Sequence, residues 1–374
     1  MKYKIAAFPG DGVGPELIKE GMKVVEKAAE LDKFEIEWVE YPHGAEHYQE
    51  TKEFLSEKDL KEIKSSCNAI YCGTFDRINA EPDKNAANLI KTYFNHFVSL
   101  RPIRLLPSAE SALANKTSSE IDFVIIRENT EDFYIGAAGT AKNGKNKHQL
   151  GIDTNSLKIK LGIDIEAKGN EIAYQIGVLS RKGCERAIKY AFDYAKSNGN
   201  KKIISVDKAN MLSYYNFWRE CFEKVGKGYK DIEYEHNFVD AAIMNLIRQP
   251  EKYKLIITPN MFGDILSAIG TMLQGGIAFG ARANINPETV SMFEPIHGSA
   301  PKLKGQGIVN PIATIWAAAL MLDHIGEKKS SALVMKAIDA VLKEEKTRTQ
   351  DLNGFNTTSE MGDAIADKFV ELHN

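Results

Sequence analysis

The sequence predicts an α/β protein of two domains, on three observations. Short apolar, β-branched runs recur at residues 3–8, 34–41, 68–72, 123–127, 203–206, 232–238 and 255–258. Between them lie segments with apolar residues at helical spacing, at 15–29, 184–196, 214–225, 311–326 and 331–344. Strands alternating with helices favour a sheet with substantial parallel pairing. At 374 residues the chain exceeds one ordinary core, so two domains are expected.

Each element has a local reason. Tyr3-Lys4-Ile5-Ala6-Ala7-Phe8 opens the chain as a strand, and Pro15 sits near the first turn of the helix after it. A proline there loses nothing, because that turn's N–H groups have no helical acceptor. Leu255-Ile256-Ile257-Thr258-Pro259 reads as a buried strand stopped by its proline, and Pro311 marks the start of another helix. Residues 139–171 break the alternation: Gly, Asn and Lys are abundant, and Ser156-Leu157-Lys158-Ile159-Lys160-Leu161 alternates. This stretch reads as an extended arm or hairpin outside the main sheet, a candidate dimer clasp; a plain solvated hairpin is the alternative. No internal repeat is visible.

Composition narrows the function. A net charge of -3 with dispersed basic residues argues against a nucleic-acid partner. Cys67, Cys72, Cys184 and Cys221 form no Cys-x-x-Cys pair, which fits buried thiols in a reducing cytoplasm better than a disulfide scaffold or zinc site. The chain opens directly in strand sequence without a signal peptide, and no apolar run approaches membrane-spanning length. A cytoplasmic protein with no membrane partner is expected.

The most informative block is Asn260-Met261-Phe262-Gly263-Asp264-Ile265-Leu266-Ser267, directly after the 255–258 strand. Asp264 therefore lies at the carboxyl end of a strand, where open α/β sheets place ligands. Asp240 follows the 232–238 run in the same way. Two hard oxygen donors at strand ends suit magnesium or manganese; helix capping is the alternative role for Asp264.

Other clusters carry further chemistry. Pro9-Gly10-Asp11-Gly12-Val13-Gly14-Pro15 invites a dinucleotide-loop reading but lacks the Gly-x-Gly-x-x-Gly spacing. Arg101-Pro102 and Arg127-Glu128-Asn129-Thr130-Glu131 supply guanidinium groups that can clamp carboxylates, with surface salt bridges as the plainer reading. Tyr134 follows Arg127 closely, and Lys208 lies just past the 203–206 strand. A lysine near a metal can have its basicity lowered into the working range. Glu294-Pro295-Ile296-His297-Gly298-Ser299-Ala300-Pro301 combines small residues with a histidine, fit for close backbone approach to a phosphate or adenine; a lone histidine is otherwise structural.

Together and in this order, these clusters resemble the isocitrate/3-isopropylmalate family of metal-dependent β-decarboxylating dehydrogenases. The resemblance runs from the block at 9–16 to Asp351-Leu352-Asn353-Gly354. It implies two α/β domains of the isopropylmalate dehydrogenase-like fold, not a Rossmann fold. The larger, cofactor-binding domain would be discontinuous, 1–96 plus 254–374; the smaller, 97–253, would dimerise and carry the arm. It further implies a homodimer whose active sites borrow residues from the neighbouring subunit.

Carried over by residue, the resemblance assigns Arg101 and Arg127 to the substrate carboxylates, with Lys91 and Asn85 on the helix that reads the third substituent. Asp264, with Asp240 of the neighbouring subunit, would hold magnesium or manganese. Lys208, also from the neighbour, would take the hydroxyl proton, and Tyr134 would protonate C3 after carbon dioxide leaves. Thr74, Glu294, His297, Gly298, Ser299, Ala300, Lys302 and Asn310 would contact NAD or NADP.

Three departures from the family pattern stand out. Lys91 replaces an arginine and loses the bidentate fork. Ala268 stands where a second aspartate is usual, so the metal loses a ligand or takes water. Lys302 replaces the aspartate of NAD users and tilts the expectation to NADP, although Leu303 lacks the tyrosine that usually accompanies it. The block at 127–134, Gly305-Gln306 and Val309-Asn310-Pro311 look most like isocitrate enzymes, yet Asn85-Ala86-Ala87-Asn88-Leu89-Ile90-Lys91 lacks both their Ser-x-Asn pattern and the leucines expected for an isopropyl group. Asn284-Ile285-Asn286-Pro287-Glu288 and the 311–316 block look like the D-malate/tartrate branch. The sequence thus fixes a reaction class but no single substrate; a weakened regulatory subunit is the competing expectation.

Overall fold

Every residue of Ala69–Thr74 is buried, as a near-continuous apolar run at the centre of a parallel sheet should be. The computed structural model describes residues 1–76, 85–114, 116–153 and 157–374. In chain order the elements begin β1 (Lys2–Gly10), α1 (Gly14–Asp32), β2 (Glu35–Glu40), α2 (Ala45–Thr51), α3 (Glu57–Ser66), β3 (Ala69–Thr74), α4 (Ala86–Tyr93), β4 (Val98–Arg104) and β5 (Asp122–Glu128). Short strands β6 (Ala138–Ala141), β7 (Gly144–Asp153), β8 (Lys158–Ala167) and β9 (Ile172–Gln175) follow. Then come α5 (Arg181–Ser197), β10 (Lys202–Asp207), α6 (Tyr215–Gly226), β11 (Glu233–Phe238), α7 (Val239–Arg248), β12 (Leu255–Thr258) and α8 (Asn260–Leu273). The chain closes with β13 (Ala281–Ile285), β14 (Ser291–Pro295), α9 (Ile312–His324), α10 (Lys328–Glu344) and α11 (Thr358–His373).

The chain divides into two compact units. The first comprises Met1–Phe94, Leu100–Asp122 and Ile269–Asn374. Its strands run in the order β4-β13-β14-β3-β1-β2. β1 pairs in parallel with both β2 and β3, β3 pairs in parallel with β14, and β13 and β14 form an antiparallel pair. Helix α9 is buried over most of its length, because its run Ile312-Ala313-Thr314-Ile315-Trp316-Ala317-Ala318-Ala319 offers no polar face; it packs against α1 and α10. Capping boxes fix two starts, Ser56 with Asp59 at α3 and Thr357 with Glu360 at α11.

The second unit comprises Asn95–Ser99 and Phe123–Ala268. Its strand order is β11-β10-β12-β5, all parallel. Residues 255–258 belong to this unit because β12 pairs with β10 and β5. The irregular stretch forms two separate two-stranded antiparallel sheets, β6 with β9 and β7 with β8, outside the parallel strands. Along β8 exposed and half-buried residues alternate, as the period-2 pattern requires; Ser156, in the sequence pattern, lies outside the described residues. All four cysteines are buried free thiols.

Candidate active site

In the first unit, the loop after β1 is built around glycines that let backbones touch. Gly10 and Gly12 have φ of 72° and 60°. A Cβ on Gly10 would lie 1.9 Å from the Thr74 carbonyl oxygen, and one on Gly12 would lie 2.0 Å from that of Ser299. Hydrogen bonds clamp the same contacts: Asp11 N donates to Thr74 O at 2.6 Å, and Val13 N to Ser299 O at 2.9 Å. These glycines therefore serve close packing against protein backbone, in keeping with the missing Gly-x-Gly-x-x-Gly spacing. The fully buried Asp11 carboxylate accepts from the N–H groups of Ala45 (3.0 Å), Glu46 (2.8 Å) and Asp76 (2.8 Å), tying two distant segments, 45–46 and the one after β3, to the loop. Sequence reasoning missed it, because those amides come from residues with no recognisable pattern.

A cavity of about 540 Å³ opens beside this loop, with Val13, Ile277, Leu303, Ile308 and Val309 as apolar wall and Asn310 at its edge. Such a wall suits a flat heteroaromatic ring. Asn310 is buried and held rigidly: its Nδ2 donates to Asp351 Oδ2 at 2.9 Å, and its Oδ1 accepts from Ile312 N at 3.0 Å. His297 and Gly298 line the cavity too. Burial lowers the His297 pKa and favours the neutral ring; its Nδ1 lies 3.1 Å from Gly298 O, and its Nε2 is buried without a partner among the described residues. Ala300, also in the wall, holds a left-handed φ of 41°, uncommon for a residue with a Cβ. Lys302 is exposed, and it is Leu303 that lines the cavity. The tethered cation of this stretch is Lys304, whose Nζ donates to Glu46 Oε2 at 2.6 Å.

A second, smaller cavity of about 250 Å³ gathers Thr74, Asn85, Lys91, Arg282 and Glu294. Thr74 is buried and its hydroxyl donates to Asp11 O at 2.8 Å. Asn85 caps α4, its Oδ1 accepting from Asn88 N at 2.9 Å. Glu294 is buried, and its Oε1 accepts from Arg282 Nε at 2.8 Å and Asn284 Nδ2 at 2.7 Å. Burial opposes its ionisation, but Arg282 and Lys91 outweigh that and hold its pKa below the usual carboxylate range. Arg101 is buried on β4. Arg282 was not singled out from sequence; the available signal was its i, i+2 spacing from Asn284, which puts both on one strand face.

In the second unit, Arg127 lies near the end of β5 and its guanidinium organises a cluster. Nε donates to Asn260 Oδ1 at 2.8 Å, Nη1 pairs with Asp264 Oδ1, and the guanidinium carbon lies 5.5 Å from the Tyr134 ring centroid. Gly263 makes room for it, since a Cβ there would sit 2.6 Å from Arg127 Cβ and Cγ. α8 starts at Asn260, so Asp264 is its fifth residue, beyond the cap position; the capping alternative is thereby overturned. Tyr134 is half exposed, and burial together with the Asp264 charge raises its pKa, keeping the phenol protonated.

The loop carrying Tyr134 is braced by acids turned inward. Glu131 accepts from Ser180 N and Oγ, both at 2.6 Å, and Asp132 accepts from Tyr215 Oη at 2.9 Å, Met261 N at 2.9 Å and Tyr214 Oη. Glu128 is fully buried and pushed up to about 7, by burial first and then by Glu131. Elsewhere in the unit Lys208, just past β10, donates to Asp240 Oδ1 at 2.8 Å, and that bond lowers the Asp240 pKa. Asp240 is the second residue of α7.

The Asp240 and Asp264 side chains are 58% and 48% exposed, so both can reach a ligand. Their oxygens fit a hard divalent cation such as magnesium or manganese, while Ala268 offers no donor. Among the described residues, no group of three or more His, Cys, Asp or Glu comes together to hold a metal within the chain.

The second unit thus carries a carboxylate–arginine–tyrosine cluster after one strand, and the first a glycine-clamped apolar cavity after another, in α/β units dominated by parallel pairing. The family model described as isocitrate/isopropylmalate dehydrogenase matches residues 4–365, and the chain belongs to that family. It is a β-decarboxylating dehydrogenase of this metal- and NAD(P)-dependent class, which acts on small hydroxy acids. The chain is 34% identical to a 3-isopropylmalate dehydrogenase of Thermobifida fusca, with 98% of each chain covered. It is 33% identical to a decarboxylating D-malate dehydrogenase of Escherichia coli, with 97% of each covered. The crystal structure of isocitrate dehydrogenase from Methylococcus capsulatus superposes with a TM-score of 0.81 at 30% identity, covering 98% of this chain and 99% of that one. No helix among the described residues is long and apolar enough to cross a membrane.

Proposed function

We propose that the chain oxidises and decarboxylates a threo-2-hydroxy acid bearing a β-carboxylate, with magnesium or manganese and preferentially NADP. The observation that carries this reading is the cluster of Arg127, Asp264 and Tyr134, which combines a carboxylate clamp, a metal ligand and a protonated phenol. Bound metal supplies Lewis-acid polarisation of the 2-oxygen, and bound nicotinamide supplies the hydride acceptor. Arg127 and Arg101 hold the carboxylates, with Lys91 and Asn85 beside the third substituent. Asp264 and, from a second subunit, Asp240 are the metal ligands. Lys208 of that second subunit receives the hydroxyl proton, directly or through water, as the C2 hydrogen leaves with its electron pair. After the bond from C3 to the departing carboxylate breaks, Tyr134 delivers a proton to C3.

The apolar wall around Val13 and Leu303 takes the adenine, with Asn310 at its rim. Thr74, Glu294, His297, Gly298, Ser299 and Ala300 contact the rest of the nucleotide. Lys302 favours NADP because it does not repel a 2'-phosphate; NAD remains usable because Leu303 adds no second partner. The expected division, 1–96 plus 254–374 and 97–253, differs from the compact units at 100–122 and 254–268, where strand pairing draws the boundary instead; the arm at 139–171 clasps a homodimer in the cytoplasm. The resemblance to D-malate and tartrate enzymes supports a small polar substrate as the second choice. Ala268 and Lys91 favour a weakened regulatory subunit, against which the intact cluster around Arg127 weighs.

Separating the chemical steps tests the assignment. Lys208→Met is expected to slow hydride transfer by about 10²–10⁴-fold. Tyr134→Phe is expected to slow decarboxylation and protonation more than hydride transfer, seen as accumulation or release of the undecarboxylated 2-oxo acid. Near wild-type turnover in both variants would show that acid and base are misassigned.

A further inference from the structure

The smaller cavity holds a guanidinium that neither the sequence pattern nor the proposed mechanism uses. Arg282 on β13 lies directly opposite Glu294 on β14 in the antiparallel register. It spends only Nε on Glu294, at 2.8 Å; Asn284 Nδ2 shares the same carboxylate oxygen at 2.7 Å. Its two Nη groups have no protein partner among the described residues, and its side chain is 24% exposed, so it faces an open space. Lys91, Asn85 and Asn88 of the α4 region line that space with it. Arg282 and Lys91 both act electrostatically on the buried Glu294 carboxylate.

We propose that Arg282 is a specificity-determining residue whose Nη groups, with Lys91, receive an anionic third substituent on the substrate. This rests on the dehydrogenase reading above and narrows its substrate to acids with a carboxylate at that position. Lys91 alone presents a point charge, whereas a planar fork can meet both oxygens of a carboxylate. Arg282 brings such a fork to the cavity where Lys91 lacks one. A branched alkyl group there would have to lie against two cations and two amides, stripping water from them without a hydrogen bond in return. Glu294 fixes the fork's direction, since the Nε bond and the cross-strand register set the plane of the guanidinium.

The test uses the full chain with manganese and three acids that differ at the third substituent: isocitrate (carboxylate), D-malate (hydrogen) and 3-isopropylmalate (alkyl). Wild type is expected to favour isocitrate over 3-isopropylmalate. Arg282→Met should lose about tenfold to a hundredfold more in kcat/KM for isocitrate than for D-malate, as expected for a charge-assisted bidentate contact, any loss common to both acids being the cost of unpairing Glu294. Arg282→Lys should fall between the two. A loss equal for all three acids, or a raised cofactor KM as the main effect, would overturn the proposal, because Arg282 would then act by supporting Glu294. So would a wild type that favours 3-isopropylmalate. Binding gives a readout independent of turnover. Thermal stabilisation by isocitrate that disappears in Arg282→Met, in a protein that reduces neither nicotinamide, would uphold the cavity assignment and remove the dehydrogenase reading. Turnover of isocitrate unchanged by Arg282→Met would do the reverse.

Discussion

In the first unit, Gly10 and Gly12 press bare Cα atoms against the carbonyls of Thr74 and Ser299; in the second, Arg127 is held by the side chains of Asn260 and Asp264. The cradle beside the large cavity works because side chains are absent. The cluster at the end of β5 works because charged side chains are present and braced by buried acids. Damage should follow that difference: adding one carbon breaks the first, whereas removing or neutralising a charge breaks the second.

The largest effect is expected in the cradle. Gly12→Ala puts a Cβ 2.0 Å from a backbone oxygen at a φ of 60°, where an L residue alone costs about 1–2 kcal/mol. With displacement of the Ser299 backbone added, a total destabilisation on the order of 4 kcal/mol is expected in denaturant unfolding. Gly298→Ala is the control, since nothing lies within 4 Å of its Cβ position. Equal stability losses in the two variants would refute the account of the cradle.

A smaller, pH-dependent effect is expected in the braced half. Glu128 has its pKa raised from 4.5 to about 7 by burial, then by Glu131. The folded state therefore prefers the protonated acid. That preference contributes fully below about pH 4.5, declines as the unfolded carboxyl ionises, and is gone once pH passes about 7. Glu128→Gln keeps a neutral side chain at every pH. Relative to that variant, wild type should lose about 2–3 kcal/mol between those limits, measured by urea unfolding across the range. A constant difference between the two proteins would mean that Glu128 is not raised.

The same contrast explains what the sequence made legible. Strands such as 69–74 and helices such as 312–324 announced themselves by apolar runs and periodicity, because burial alone decides them. Asp264 and Arg127 were recognisable as chemistry, through motifs, while their joining depends on two strands that pair side by side, β5 and β12. Arg282 and Asp11 escaped notice because their meaning lies in partners brought by the fold, Glu294 across an antiparallel pair and the amides of 45, 46 and 76. The glycine loop lacks the spacing of a dinucleotide-binding loop, and what its glycines do was not legible because it lies in backbone contacts to Thr74 and Ser299. The role of Asp264 turned on one boundary: where Pro259 ends the strand and Asn260 begins the helix.

A substrate panel decides whether the charged cluster and the cradle serve one oxidative decarboxylation. Purified full-length protein is given manganese and, in turn, isocitrate, 3-isopropylmalate, homoisocitrate, D-malate and tartrate, each with NADP and with NAD. At least one acid should yield reduced nicotinamide and carbon dioxide in equal amounts, with a modest preference for NADP. No reduction of either nicotinamide with any of the five acids, or reduction without carbon dioxide, would contradict the account.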